Sequence, residues 1–416
     1  MTSAAAIGQA GLAPVRVRVV TSAQELAALA GDWERLQRDA TAGSVFSSFD
    51  WQHLWWKSYG GDQPLRLLVA SADGGAAGST VVGLLPLYIH TVPMLRFPVR
   101  LLRFVGTGGD TFPDDLGPLI EAGREAEIAR AFADAIMALP GWDVLLLTDL
   151  DPAGAFTAAM QSVARAGQLR CLAGRGERIA YLDLPPTWDA WLKSLSGDRR
   201  YRVRNIRKKL NAAHPTRFFV WDDPATLDQG IDRLIHLHHK RWKNVGQTHA
   251  FSSPQYIGFH RAVMAACLAR DRLRLYCLEL SGEVVAMYYF YKFGDRVYLM
   301  QSGFDPDFSS VKPGQVLLGY IVEHAIGEGH KVLDFLKGDH RYKDELATGE
   351  RETVYLTAFR GSAGAWVYRA RRRYLPALKA YLKPYVEKAI RRVRPAAAAP
   401  PDPTAASSPA APTATE

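Results

Sequence analysis

Between residues 331 and 347 the sequence KVLDFLKGDHRYKDELA begins as a short apolar stretch and stops at Gly338. It then crowds Asp339, His340, Arg341, Tyr342, Lys343, Asp344 and Glu345 together. The apolar part reads as a buried strand, so the ionisable part projects from a strand's C-terminal end, where α/β sheets hold ligands. Asp334 alternates with Leu333 and Phe335, which puts a carboxylate on one face of that sheet. A buried acid requires a partner, which Lys337, Arg341 or Lys343 could supply. Asp334 therefore reads either as half of an internal ion pair or as a catalytic group.

Two further segments suit an anionic ligand. Lys312, Pro313 and Gly314 open the apolar helix GQVLLGYIVEHAIGEG. A helix N-terminus presents amide hydrogens and a partial positive charge that attract phosphate, and glycine lets the backbone approach closely. An ordinary Pro-Gly helix start fits the same residues. Upstream, GDRRYRVRNIRKKL places seven Lys/Arg within positions 199–209. On a helical wheel Val203, Ile206 and Leu210 form the apolar stripe; Arg200, Arg204, Arg207 and Lys208 lie on one flank, Arg202 and Lys209 on the other. A solvated helix mixes charge signs, whereas this one has only Asp198 at its start. Cations this dense suit the phosphates of a coenzyme, a nucleotide-linked substrate or RNA.

The elements that must position these groups belong to a chain of 416 residues, 48% hydrophobic and 11% aromatic, enough apolar surface for two or three folded domains. No apolar run is long enough to span a bilayer, and MTSAAAIGQAGLAP lacks the regions of a signal peptide, so a cytoplasmic protein is expected. Cys171, Cys267 and Cys277 form no CxxC pair and read as buried thiols; no metal is implied. Of the net charge of +9, most lies in residues 366–394, which carry ten Lys/Arg against Glu387, so bulk charge gives little reason for the body to bind nucleic acid. Within that extension YLPALKAYLKPYVEKAIRRV reads as an amphipathic basic helix kinked at Pro384. It is expected either to pack on its own domain or to face an anionic membrane or a partner such as a membrane-bound synthase. Residues 395–416 read as a disordered Ala/Pro-rich tail.

The body reads as mixed α/β. Strand candidates include STVVGLLPLYI, VRLLRFVG, WDVLLLTDL, RIAYLDL, LRLYCLEL, VVAMYYFYK and DRVYLMQSGF, interleaved with amphipathic helices. Their order gives two similar halves: helices, a run of antiparallel strands, then a helix feeding a further strand, with WDVLLLTDL placed in the first as KVLDFL is in the second. The expected organisation is a flexible N-terminus (1–14), a first domain (15–178), a second domain (179–362), a basic helical extension (363–394) and the tail.

The second half resembles the GNAT superfamily of acyl-CoA N-acyltransferases, specifically its CelD-like branch, which is similar in turn to the two-domain FemABX peptidyltransferases. The resemblance is carried by the basic helix RRYRVRNIRKKL, by His238 with Arg241 and Trp242, by the Gly303 to Pro306 turn, by Pro313-Gly314, and by Asp334 to Lys343. It covers residues 180–360 and extends to residues 15–180 through FSSFDWQHLWWKSY and VVGLLPLYI. It implies two tandem GNAT-like domains, each a mostly antiparallel mixed sheet flanked by helices. It further implies that Val297 to Ser302, including Gln301 and Ser302, splays from KVLDFL and holds the acyl carbonyl. Lys312, Gly314, Gln315 and Val316 then take the pyrophosphate of acetyl-CoA or another acyl-CoA. Asp339 becomes the proton acceptor, Tyr342 the acid, and Lys343 or Arg341 the group that orients substrate, with Asp334 in the same cluster; Asp339 as a helix N-cap remains open. Arg200, Arg204, Arg207, His238, Arg241 and Trp242 become substrate contacts. Where typical GNAT enzymes carry an Arg/Gln-x-x-Gly-x-Gly/Ala loop, Phe308 to Gln315 keeps one glycine, Gly314. FemABX proteins take their acyl group from aminoacyl-tRNA.

Three functions are thus expected. The first is an acyl-CoA-dependent N-acyltransferase acting on a sugar amine or other small amine in envelope or exopolysaccharide synthesis. The second is a FemABX-like aminoacyl-tRNA-dependent transferase, with tRNA as partner. The third is a non-catalytic GNAT-like partner of a polysaccharide synthase, placed at the inner face of the membrane by residues 366–394.

Overall fold

The computed structural model describes residues 14–39, 43–73, 78–94, 97–166, 170–243, 250–338, 345–372 and 374. The expected tail and nearly all of the basic amphipathic helix lie outside the described residues, as do Asp339 to Asp344. By its contacts the chain divides into Met1–Ala365 and Trp366–Glu416. In the second unit residues 366–372 are helical, and no described helix of the chain is long and apolar enough to cross a membrane.

The described strands are β1 (Val15–Val20), β2 (Leu67–Asp73), β3 (Ser79–Leu85), β4 (Leu87–Met94), β5 (Phe97–Phe104), β6 (Leu119–Ile120), β7 (Val144–Leu150), β8 (Arg170–Asp183), β9 (Thr216–Val220), β10 (Leu273–Leu280), β11 (Glu283–Phe293), β12 (Arg296–Phe304), β13 (Val332–Asp334) and β14 (Gly349–Phe359). The α-helices are α1 (Ala23–Ala28), α2 (Ala30–Asp39), α3 (Phe49–Trp55), α4 (Glu125–Ala138), α5 (Ala155–Arg165), α6 (Trp188–Ser194), α7 (Gly197–Ala213), α8 (Leu227–Trp242), α9 (Pro254–Ala269) and α10 (Pro313–Gly327).

The fold is mixed α/β with two sheets flanked by helices. Strands β1-β2-β3-β6 form an antiparallel sheet of four, and β4-β5-β7-β14-β8-β13-β12-β11-β10-β9 form a sheet of ten. The stretch STVVGLLPLYI, read as one strand, is two: Pro86 has no N–H to give to a ladder, and β3 and β4 on either side of it join different sheets. The alternating VRVRVV of β1 was not anticipated; its burial alternates weakly because it is the edge of the small sheet.

The large sheet repeats one pattern from both ends. In the first half β5 runs parallel to β7, and in the second β12 runs parallel to β13. The strands between them are exchanged: β8, from the first half, pairs with β13, while β14, from the second, pairs with β7, and β8 and β14 pair along Arg170–Tyr181 and Gly349–Phe359. The boundary expected at residues 178 and 179 lies inside β8. Alternation along β11 then splits the core. Met287, Tyr289 and Tyr291 pack toward α8 and α9, and Tyr288 and Phe290 toward α6, α7 and α10.

Strand exchange makes the halves interdependent, because an excised β14 would present unpaired backbone along both edges. A fragment of residues 179–365 is therefore expected to show no cooperative thermal transition, whereas residues 14–365 unfold cooperatively. Circular dichroism melts compare the two, and a sharp transition in the shorter fragment would contradict the interdependence.

Candidate active site

Strand β12 organises the site. It pairs with β13 only from Arg296 to Tyr298, opposite Val332 to Asp334, and then continues to Phe304 while β13 stops. Beyond the split its register on β11 shifts, with Leu299 opposite Phe290 but Gln301 opposite Tyr289, so Met300 is an extra residue in a bulge. The bulge resets the alternation. Met300 and Gln301 both line a cavity of about 410 Å³ on the α9 side, while Phe304 lines one of about 350 Å³ on the α10 side. Gly303 has its back to α8: a Cβ there would lie 2.4 Å from the His238 nitrogen, so only glycine permits this approach of helix and strand.

The first cavity lies between α6, α7 and the start of α10. Trp188, Trp191, Val203, Ile206, Phe304 and Val316 give it apolar walls, and Arg199, Arg202, Arg207, Arg241 and Lys312 surround these with cations against Glu345. Ser196 starts α7 by accepting the Arg199 N–H, which sets the helix phase that turns Arg199, Arg202 and Val203 to the cavity. Lys312 takes a left-handed φ of 51° that turns the chain into α10, with Pro313 in the first turn. Gly314, Gln315 and Val316 follow along the cavity wall. A Cβ on Gly314 would meet Tyr288 and Phe304 only at ordinary contact distances of 3.6 and 3.7 Å, so packing within the protein does not demand this glycine.

The other expected contacts divide. Arg207 lines the first cavity, pairs with Glu323 and lies 3.7 Å over the Tyr320 ring. Arg241 lines it too and donates to Ser302 Oγ at 2.7 Å, fixing the end of β12. Arg200 instead donates to the Lys193 and Leu195 carbonyls, closing the end of α6, and Arg204 is exposed outside the cavity. His238 is buried with Nδ1 3.0 Å from the Ser302 carbonyl, which ties α8 to β12, and Trp242 lies beside the Arg241 guanidinium. Gln301 lines the second cavity and not the first, because the bulge turns it over. Asp339, Tyr342 and Lys343 lie outside the described residues.

Asp334 is fully buried, lines neither cavity and sits in an internal network. Of the three cations expected from the sequence, Arg341 and Lys343 lie outside the described residues, and its described partners are others. Arg351 of β14 donates to it at 3.0 Å, Arg296 lies at 3.6 Å, and the Leu336 N–H donates to it at 2.8 Å. Leu336 is held at a left-handed φ of 54°, so Asp334 sets the direction in which the chain leaves β13. Arg351 also pairs with Asp115, and Lys337 turns away to Asp114 and Asp149 at 3.0 and 3.3 Å. Each of these links joins the second half to the loop after β5 or to β7.

Apart from Gln301, no residue that the sequence marks for catalysis or binding lines the second cavity. It is lined by Trp51, Asp110, Phe112, Asp114, Tyr256 and His260, among others. The signal was present in GTGGDTFPDD, residues 106–115, where four glycine-or-turn positions carry three carboxylates just after a strand. Burial raises the Asp114 carboxyl to about 6 against the pull of Lys337, and holds His260 down at about 3.

Residues 197–344 match the family model of an acetyltransferase (GNAT) domain. No curated protein matches the chain. Among solved structures, FemX is similar at 12% identity over 82% of this chain and 96% of FemX, with a TM-score of 0.56. The C-terminal domain of a lysylphosphatidylglycerol synthetase from Agrobacterium fabrum is similar at 13% identity, 84% and 95% coverage and a TM-score of 0.48. A tandem GNAT protein from the clavulanic acid biosynthesis pathway is similar at 14% identity, 84% and 99% coverage and a TM-score of 0.42. FemX and this chain share a fold.

Two outcomes follow from the buried charges. Removing one member of a buried pair strands the other, so Arg351→Ala should cost about 3–5 kcal/mol in denaturant unfolding; a loss under about 1 kcal/mol would show that the network holds little. Asp114 has a carboxyl raised above its unfolded value of 3.8. It contributes stability below that value and loses it as pH rises through about 6. Asp114→Asn should therefore gain melting temperature relative to the parent between pH 4 and pH 7, and a pH-independent difference would contradict the assignment.

Proposed function

We propose that the chain, whose residues 197–344 match the family model of an acetyltransferase (GNAT) domain, is an enzyme that moves an acyl group from acyl-CoA to the amine of a small metabolite. A sugar amine in envelope or exopolysaccharide synthesis is the acceptor class in view. The observation that carries this reading is the first cavity, whose apolar walls end in Arg199, Arg202 and Lys312 at the head of α10. A thioester donor with a long uncharged arm and an anionic nucleotide end suits such a slot: the arm goes to the apolar walls and the phosphates to the cations and the helix N-terminus.

The strand split supplies the rest. Past Tyr298 the edge of β12 that faced β13 has no strand beside it among the described residues. Backbone N–H groups on that edge can take a carbonyl oxygen as it gains charge, a stabilisation that grows toward the transition state. The amine's lone pair forms the N–C bond, the C–S bond breaks, and the sulfur leaves with the electron pair. Asp339 as acceptor of the amine proton and Tyr342 as donor to the sulfur complete the proposed chemistry.

The reading predicts that acetyl-CoA raises the melting temperature of the purified protein. At 100 times its dissociation constant a ligand adds about 2.7 kcal/mol. Arg202→Glu, on the surface of α7, should abolish the rise, and Asp339→Asn or Tyr342→Phe should keep it while lowering kcat by roughly a hundredfold or more. One observation favours the aminoacyl-tRNA reading: Arg204, Lys208 and Lys209 are exposed on α7 beyond the cavity, a surface a polyanion could use. Stabilisation by tRNA and not by acetyl-CoA, weakening steeply with salt, would replace the first reading with the second.

A further inference from the structure

We propose that the second cavity is the acceptor site, and that it takes a small primary amine as its ammonium, held by Asp110 and Asp114 with the carbon body against Trp51 and Phe112. The proposal rests on the acyl-transfer reading and names the substrate class and the residues that select it.

Position is the first argument. The two cavities occupy opposite faces of β12, and the gap between them opens where β13 stops after Asp334. Met300 and Gln301 line the second cavity because of the bulge, and Leu336 and Lys337 line it from the far side of the gap. A donor entering from the α10 face and an acceptor from the α9 face would meet at that gap. At about 410 Å³ the cavity has the size of a small-molecule site.

Chemistry is the second. Asp110 accepts the Tyr59 hydroxyl at 2.5 Å, which fixes the carboxylate and leaves it further acceptor positions. Asp114 accepts the Lys337 N–H at 2.8 Å and pairs with its ammonium at 3.0 Å. Lys337 is shared with Asp149, and His260 is kept neutral by burial, so the described residues lining the cavity leave it an excess of negative charge. That excess selects a cation. Aromatic faces favour the same ligand, since an ammonium is attracted to them.

The third argument is unmet hydrogen-bonding capacity. Trp51 is 2% exposed, lines the cavity, and its indole N–H has no acceptor among the described residues. A buried donor without a partner is costly, and a polar atom on the acceptor would satisfy it. At the same site Phe112 is 74% exposed. The loop that carries Asp110 and Phe112 is committed to its shape: Gly108 and Gly109 have φ of 115° and 62°, and a Cβ on either would lie 2.8 Å from Tyr88 or Tyr59. Such commitment of backbone suits a loop that presents side chains to a ligand.

The ammonium gives one proton to solvent and becomes the nucleophile. Its nitrogen then bonds to the acyl carbon, the C–S bond breaks, and as nitrogen gives up a second proton the sulfur takes one up, yielding an amide and a free thiol.

The test uses the full chain, acetyl-CoA and three probes, glucosamine, 1,4-diaminobutane and lysine methyl ester, with glucose and 1,4-butanediol as uncharged counterparts. Thiol release should depend on at least one amine and on neither uncharged compound. Asp110→Asn, which keeps an acceptor for Tyr59, and Phe112→Ala, at an exposed position, should raise the amine KM by about tenfold or more. Both should leave the acetyl-CoA KM and the acetyl-CoA melting shift within about twofold of the parent. Unchanged amine KM in both variants, or no thiol release with any amine while acetyl-CoA still stabilises the protein, would overturn the proposal. Absence of the acetyl-CoA shift in the parent is instead failure of the donor reading. In that event amine protection against thermal unfolding, lost in Asp110→Asn, supports the cavity assignment, and no protection overturns it.

Discussion

A three-residue pairing governs this molecule. Strands β12 and β13 run parallel from Arg296 to Tyr298 and no further, and one extra residue at Met300 then resets which way β12 faces. Had the ladder continued, the sheet would be closed and both cavities would be separated by hydrogen-bonded backbone. Because it stops, one strand presents Phe304 to an apolar slot rimmed with cations and Met300 with Gln301 to an acidic, aromatic one. Bulges concentrate at such places because they turn side chains without ending a strand.

An opened sheet has to be held open, and buried charge does this. Asp334 ends β13, bonds the Leu336 N–H and is gripped by Arg351 and Arg296, while Lys337, three residues on, is drawn to Asp114 and Asp149. These contacts tie the exit of β13 to β14, to β7 and to the loop after β5. The first half therefore acts on the site in two ways, through the exchanged strands β8 and β14 and through the loop that lines the second cavity. Buried pairs of this kind give geometry more than stability, since desolvation offsets much of their attraction.

Much of this was legible in the sequence, for reasons that can be stated. Apolar periodicity located the strands of the large sheet, and the local signals of Pro313-Gly314 and the Arg-rich helix located the first cavity, because helix starts and charge runs are properties of contiguous residues. What was not legible was non-local. Arg351 as the partner of Asp334 is brought there by strand exchange. Gln301 lines the second cavity and not the first because of a bulge, which leaves no mark in residue type. Arg200 resembled its neighbours on the helical wheel, yet it closes α6 through two carbonyls. The second cavity drew on residues more than two hundred positions apart, and no single window of sequence contained it.

The central claim is that the slot at the head of α10 recognises the anionic end of an acyl donor. Titration calorimetry with acetyl-CoA and with acetyl-pantetheine, which keeps the thioester and its arm but lacks the nucleotide and its phosphates, tests this most directly. The account predicts that acetyl-CoA binds at least about tenfold more tightly, since charge-assisted contacts to phosphate are the stronger hydrogen bonds. Equal affinities, or no binding of either, would contradict it.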